Sequence, residues 1–286
     1  MLDPATSDLG EALPRQLHAH AVNAVLICLK ELDDTAVATA VEACTREGVE
    51  VILHPGLPVM SPFLINVDRL GGETVLHYRM HRAGAGELLV KQLMDYIGAA
   101  GLLLVLAPLF LLTALLVATS SRGPVIYRQQ RAGLNGRPFT MYKFRSMRAG
   151  AEQLQADLAD RNEMEGPVFK MKRDPRVTPV GRFLRRHSLD ELPQLWNVLR
   201  GEMSLVGPRP LPLEEVHRFE NLAHRRRLSV KPGLTCLWQV RGRNDITSFE
   251  EWVRLDLEYI DQWSLWLDVK ILLATLPVAL LGRGAR

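Results

Sequence analysis

The chain has 286 residues, 47% of them hydrophobic, with a formal charge of +3. That length holds one large or two ordinary domains, and that apolar content is enough for a core, which argues against a disordered chain. The small net charge hides a split, because acids dominate the first 77 positions and bases the remainder, so two regions with different partners are expected. Cys28, Cys44 and Cys236 are three in number and widely spaced, which suits neither a disulfide framework nor a zinc cluster, and they read as reduced packing residues. Asp3, Asp8 and Glu11 precede any apolar run, so no secretory signal is expected and the start of the chain is placed in the cytosol.

The first region reads as α/β. A buried-strand run NAVLICL (23–29) leads to a helix DDTAVATAVEACTREG (33–48) with an Asp cap and a Gly stop, then to a second strand VEVILHP (49–55) and a further strand ETVLHY (73–78). The Gly-rich phosphate turn of a dinucleotide fold is missing after the first strand, so packing, regulation or oligomerisation is expected here rather than nucleotide binding. Residues 79–90, RMHRAGAGELLV, read as a linker.

Residues 97–119 follow, 23 positions without a charge and long enough as a helix to cross about 30 Å of hydrocarbon. Pro108 stands in the middle of this run, where it removes a hydrogen bond and clashes with the preceding turn. Arg79, Arg82 and Lys91 precede the run, and between residues 122 and 148 there are seven bases and no acid, so both flanks favour the cytoplasmic face. A helix that enters, bends near Pro108 and returns satisfies both flanks. A kinked span and a buried core helix are the alternatives.

Beyond it, residues 124–147 read as two strands joined at Asn135-Gly136. AEQLQADLADRNEM (151–164) reads as an amphipathic helix, and 249–281 as helical with an apolar end of eleven residues, too short to span a membrane, that packs or lies in the interface.

Four basic clusters share rigid Gly, Pro or β-rich settings: Lys143 and Arg145; Arg173, Arg176, Arg182, Arg185 and Arg186; Arg209 in SLVGPRP; and Lys231, Arg241 and Arg243 in KPGLTCLWQVRGR. Each alone suits a solvated surface or lipid headgroups. Together they suggest phosphate binding, since the arginine fork matches phosphate oxygens. Nucleic acid is disfavoured, because the clusters are scattered among apolar runs beside a membrane segment. Within SLDELPQLWN (188–197), Ser188 and Glu191 have capping-box spacing, so Asp190 and Glu191 fit a helix first turn as well as an active site. Beside bound phosphate, Asp190 has two further uses: to hold magnesium against a diphosphate, or to attack phosphorus and form an acyl phosphate.

The runs YRQQRAGLNGRPFTMYKFRSM, DPRVTPVGRFLRRHSLDELPQLWNVLRGEMSLVGPRP and KPGLTCLWQVRGR closely resemble the bacterial sugar transferases, or monotopic phosphoglycosyl transferases, over about 91–281. The resemblance implies an α+β membrane-associated catalytic domain (91–286) with a re-entrant hairpin broken at Pro108, after a partial Rossmann-like α/β region (1–78). It implies transfer of a sugar-1-phosphate from a UDP-sugar to polyprenyl (undecaprenyl) phosphate with Mg2+, on the cytoplasmic face of the bacterial inner membrane. Asp190 is then the nucleophile and a metal ligand, and Glu191 its dyad partner. Lys143, Arg145, Arg185 and Arg209 are the expected phosphate-binding residues. Cys236 and Arg241 depart from the family pattern, standing where a glycine and a small polar residue are common. Long members carry four transmembrane helices and a complete Rossmann-like domain, so a shortened form is expected, whose exposed sheet edge offers a pairing site for a second copy. The rival functions are a glycosyltransferase that releases UDP and a non-catalytic membrane-anchored scaffold.

Overall fold

The computed structural model describes residues 9–27, 34–53, 64–71, 73–79, 84–151, 153–171, 173–219, 221–242, 246 and 248–281. Cys28, positions 80–83 of the expected linker and Arg243 lie outside the described residues. The chain forms two compact units, one comprising Met1–Arg82 with Leu134–Arg137 and Phe219–Val230, the other comprising the rest.

In the first unit, helix α1 (Leu9–Ala19) precedes strand β1 (Ala24–Ile27), helix α2 (Asp34–Glu47), strand β2 (Glu50–Leu53), strand β3 (Leu64–Leu70) and strand β4 (Glu73–Arg79). β1 and β2 pair in parallel around α2, the expected βαβ unit, and β4 and β3 extend the sheet antiparallel in the order β1-β2-β4-β3. Leu13 and Leu17, one turn apart on α1, join Val37, Ala40, Ala43 and Cys44 of α2 and Val51 of β2 in one core. Burial in that core pushes the Cys44 thiol up to about 12, with Glu47 adding to the effect, so it is an inert packing group. The Leu222–Ser229 turn completes this unit: Arg225 Nε donates to Glu47 Oε2 at 3.0 Å, and His18 Nε2 meets Glu47 Oε1 at 2.8 Å.

The second unit opens with helix α3 (Ala85–Val105) and helix α4 (Ala107–Ser120). The interruption falls at Leu106, and Pro108 occupies the first turn of α4, where an amide has no intrahelical partner to lose. Asp95 and Ala99 are the buried residues of α3, and Thr113 and Val117 those of α4. Leu104, Val105 and Leu111 around the break are exposed, and so are Leu88, Leu93 and Ile97 earlier on α3 and Leu115 later on α4. α3 is long and apolar enough to cross a membrane.

Strand β5 (Ile126–Ala132) and strand β6 (Pro138–Phe144) pair antiparallel with Ile126 opposite Phe144. Asn135 and Gly136 both have positive φ, 53° and 76°, as the Asn-Gly signal requires. Residues 153–161 form a 3₁₀ turn rather than the expected α-helix. It stops at Asn162, whose side chain donates to the carbonyls of Met164 and Val168 and accepts from the Lys170 amide, folding the chain back on itself.

Helix α5 (Pro179–Arg186), a 3₁₀ turn at Leu189–Glu191, helix α6 (Gln194–Leu199), strand β7 (Ser204–Val206), helix α7 (Leu213–His217), strand β8 (Gly233–Thr235) and helix α8 (Leu237–Gly242) follow. The expected long terminal helix is divided at residues 262–264 into α9 (Phe249–Asp261) and α10 (Leu265–Leu281), with Ser264 Oγ accepting from the Leu267 amide at the second start. β7 and β8 pair in parallel, with Ser204 opposite Gly233.

Candidate active site

The site is built where α4, β6 and α5 meet. Val117, Phe144 and Leu184 form a buried cluster against which Leu189 and Leu192 pack, and these two leucines flank Asp190 and Glu191. The acidic pair is thus pinned from both sides on an apolar floor, with only 7% and 6% of its surface exposed. Ser188 turns the chain out of α5 with φ 56° and ψ 20°, a left-handed conformation that serine rarely adopts and that costs on the order of 1 kcal/mol or more.

The expected capping box is not formed. The Ser188 amide donates to the Arg185 carbonyl at 3.2 Å, so it has no need of the Glu191 carboxylate, and α6 starts only at Gln194. Glu191 turns instead to two cations. Lys143 Nζ lies 3.0 Å and Arg209 Nη2 2.7 Å from the same Glu191 Oε1.

Asp190 is treated differently. Among the described residues no salt bridge and no side-chain hydrogen bond falls on its carboxylate, although it is nearly as buried as Glu191. Burial, then the neighbouring Glu191 charge, pushes its carboxyl above the ordinary range, and Lys143, Arg185 and Arg209 pull the other way. Lys143 is lowered to about 8, chiefly by burial. For Arg209, burial opposes the charge, but Glu191, Cys236 and Asp190 together outweigh it, and the guanidinium is held above its usual value.

Each cation has a scaffold. The buried Asn197 of α6 accepts from the Tyr142 amide at 3.1 Å and donates to the Thr140 carbonyl at 2.7 Å, fixing the β6 backbone beside Lys143. Arg209 sits in the Gly-Pro-Arg-Pro loop after β7. A Cβ at Gly207 would lie 2.5 Å from the Lys231 carbonyl, and one at Gly233 would lie 2.0 Å from the Gly207 nitrogen, so the two motifs interlock by close backbone approach. Arg185 donates through Nε to Ser146 Oγ at 2.9 Å, and α5 lies so close that a Cβ at Gly181 would fall 1.9 Å from the Ser146 carbonyl.

Not every expected residue converges here. The Arg145 guanidinium donates to the carbonyls of Pro124, Ser121 (2.5 Å) and Val117 (3.3 Å), closing the C-terminal end of α4. Arg176 chelates Asp174, and Arg241 pairs with Glu258 at 2.5 Å. Conversely, Arg131 was expected only as a flanking charge, yet it belongs with the site's cations. It donates to Gln129 and to the Pro210 carbonyl beside Arg209, and burial, then Arg209, lowers it to about 10. Its place one residue before the end of β5 was the available signal, since a base inside a hairpin strand is directed by the pleat.

The family profile described as bacterial sugar transferase matches residues 86–282. The chain belongs to the bacterial sugar transferase family. Asp190, Glu191, Lys143, Arg131, Arg185 and Arg209 all lie inside the matched span. It is 48% identical over 245 residues to the galactosyl transferase CpsE of Streptococcus agalactiae serotype III, an alignment covering 84% of this chain and 54% of that one. It is 42% identical over 201 residues to the exopolysaccharide production protein ExoY of Rhizobium meliloti, covering 69% and 88% respectively. Identity to the UDP-glucose:undecaprenyl-phosphate glucose-1-phosphate transferase of Escherichia coli K12 is 35% over 282 residues, 96% of this chain and 58% of that one. The chain spans about half the length of several curated relatives it matches. The Escherichia coli alignment extends well beyond the matched span, so sequence similarity also reaches the first unit of the chain.

Proposed function

We propose that the chain transfers a sugar-1-phosphate from a UDP-sugar to undecaprenyl phosphate through a phospho-sugar carried on Asp190. The observation that carries this reading is the unequal commitment of two adjacent buried carboxylates: Glu191 is held by Lys143 and Arg209, whereas Asp190 has no side-chain partner among the described residues. An Asp190 oxygen attacks the sugar-linked phosphorus, the bond from that phosphorus to the bridging oxygen breaks, and UMP leaves with that oxygen. An oxygen of the lipid phosphate then attacks the same phosphorus and the Asp190 O–P bond breaks. The product is a lipid diphosphate sugar, and neither step requires a redox partner or a net proton.

Glu191 has the role of a positioning residue. It orients Lys143 and Arg209 toward the diphosphate, where preorganised cations stabilise developing negative charge. Magnesium fits the donor set, because it binds through one or two carboxylates plus substrate phosphates and Asp190 is open to an external partner. When bound it would be held by Asp190 and would neutralise diphosphate charge; among the described residues no group of three or more potential ligands exists.

The membrane reading is that the α3–α4 tip dips into one leaflet and returns, with both helix bases on the catalytic unit. The exposed apolar tip and the basic flanks of both helices support it. It brings the site to the level of the lipid phosphate.

Product analysis tests the proposal. With undecaprenyl phosphate, magnesium and a panel of UDP-sugars, UMP is the expected product from at least one donor; release of UDP, or of no nucleotide, overturns the reading. Single cysteines at Leu88 and Arg122 should both react with a membrane-impermeant thiol reagent from the cytoplasmic side alone. Reaction of either from the outer side excludes the hairpin.

The pH profile follows from the site's charges. Asp190 attacks as a carboxylate, so the rate is lost as pH falls through its raised pKa. Lys143 works as a cation, so the rate is lost as pH rises through about 8. Lys143→Arg should carry the alkaline limb up by more than about one pH unit, since arginine stays charged in proteins. An unmoved limb rules out Lys143 as its source.

A further inference from the structure

A second buried polar cluster lies away from the dyad, where α3, β7, α9 and α10 meet. Lys91 of α3 donates to Asp268 Oδ2 at 2.5 Å and to the Val206 carbonyl at 3.2 Å. The Tyr259 hydroxyl lies 3.1 Å from that carbonyl and 2.8 Å from Asp268 Oδ1, and Trp263 Nε1 donates to Asp268 Oδ2 at 3.3 Å. Asp95, one turn beyond Lys91, accepts the Leu205 amide at 3.0 Å. Asp268 is fully buried and Tyr259 nearly so.

Stability alone is a weak reason for such a group, since replacing buried ion pairs with apolar side chains is often neutral or stabilising. What distinguishes this one is where its bonds go. Those that leave the side chains fall on the backbone of two consecutive residues, Leu205 and Val206, and Val206 is followed directly by the Gly-Pro-Arg-Pro loop. The Val206 carbonyl also receives Ser204 Oγ at 2.8 Å, so three side chains converge on a single backbone oxygen. Three residues on, Arg209 reaches Glu191. The rigid Pro208 and Pro210 leave little slack between the held carbonyl and the guanidinium.

We infer that Lys91, Asp95, Tyr259 and Asp268 are positioning residues that fix Arg209 on Glu191 through the β7 backbone, and that they carry the placement of the apolar helix α3 to the active site. The kinetic arm of this inference rests on the transferase reading of the dyad; the structural arm does not. Position is transmitted through a short, stiff path: α3 side chain, β7 carbonyl, proline-locked loop, arginine.

The test uses the full chain in detergent or bilayer. Tyr259→Phe removes one hydroxyl and leaves the packing, and Lys91→Met removes the charge at similar length. Each is made alone and in an Arg209→Lys background. UMP release should fall about tenfold with either change in the native chain and by less than about twofold in the Arg209→Lys chain, because coupled residues are not additive. Equal factors in both backgrounds, or unchanged rates, overturn the inference. Hydrogen exchange supplies the second readout: in Tyr259→Phe, the amides of a peptide spanning 204–212 should exchange at least about tenfold faster while one spanning 188–199 stays unchanged. Unchanged exchange in 204–212 also overturns it. If the native chain releases no UMP, the transferase reading fails and the exchange measurement still decides this one.

Discussion

Asp190→Asn is expected to lower UMP release by at least about 10,000-fold, the scale seen when a catalytic nucleophile is removed while binding survives. The amide keeps the shape and loses the attacking oxygen. The same substitution should leave thermal stability unchanged or raise it. Burial and the adjacent Glu191 disfavour the Asp190 charge in the folded chain, so a neutral side chain relieves a cost of folding at neutral pH. The two readouts therefore move apart, as they do where an active site is held at the expense of stability. Retention of more than about a tenth of the native rate would remove Asp190 from the chemistry. A melting temperature that falls together with the rate would make it a structural residue.

Gly233→Ala is expected to be among the most damaging small changes in the second unit. Its Cβ would meet the Gly207 nitrogen at 2.0 Å and the Gly207 carbonyl oxygen at 2.6 Å, and these are backbone atoms that cannot rotate away. The parallel pair β7–β8 has to spread, which takes Arg209 from Glu191. Overpacking of this kind costs about 3 kcal/mol, or a fall in melting temperature on the order of 5–10 °C, with UMP release lost well before the unit melts. Gly101→Ala makes the control, because nothing lies within 4 Å of a Cβ there and the change adds only helix propensity. Equal effects at the two positions would show that the interlock is not what places the arginine.

The members of the candidate site were more legible in the sequence than the paths between them. Asp190, Glu191, Lys143 and Arg209 could be named because fixed-backbone motifs announce themselves through Gly, Pro and alternating strand residues. Arg145 belonged to an equally conspicuous motif, yet its guanidinium goes to the carbonyls ending α4, and no local pattern distinguishes a phosphate-binding arginine from one that closes a helix. The βαβ unit was visible in its apolar runs, whereas α1 was hidden by Pro14 and β3 by the uneven polarity of LINVDRL. The cluster around Asp268 was invisible for a different reason. Its members are separated by up to 177 residues, and only the fold brings Lys91 to Asp268. Ser188 is a case where a local rule failed at the site itself: the spacing suited a capping box, but the Glu191 carboxylate was needed by two cations.

The first unit takes in residues 134–137 and 219–230, where Asn135 donates to Asn23 at 2.7 Å and Arg225 to Glu47 at 3.0 Å. This has a consequence for the order of assembly. Residues 9–79 leave the ribosome early, but the 219–230 segment of their own unit is not complete until position 230. By then α3 and α4 are already outside the tunnel and free to enter a bilayer. The high sequence separation of these contacts makes closure of the first unit a late and slow event. A fragment trimmed to the family span would therefore expose the 219–230 segment throughout its life, on the face where α2 normally covers it, and chaperone dependence is the trait in which that exposure should first be visible.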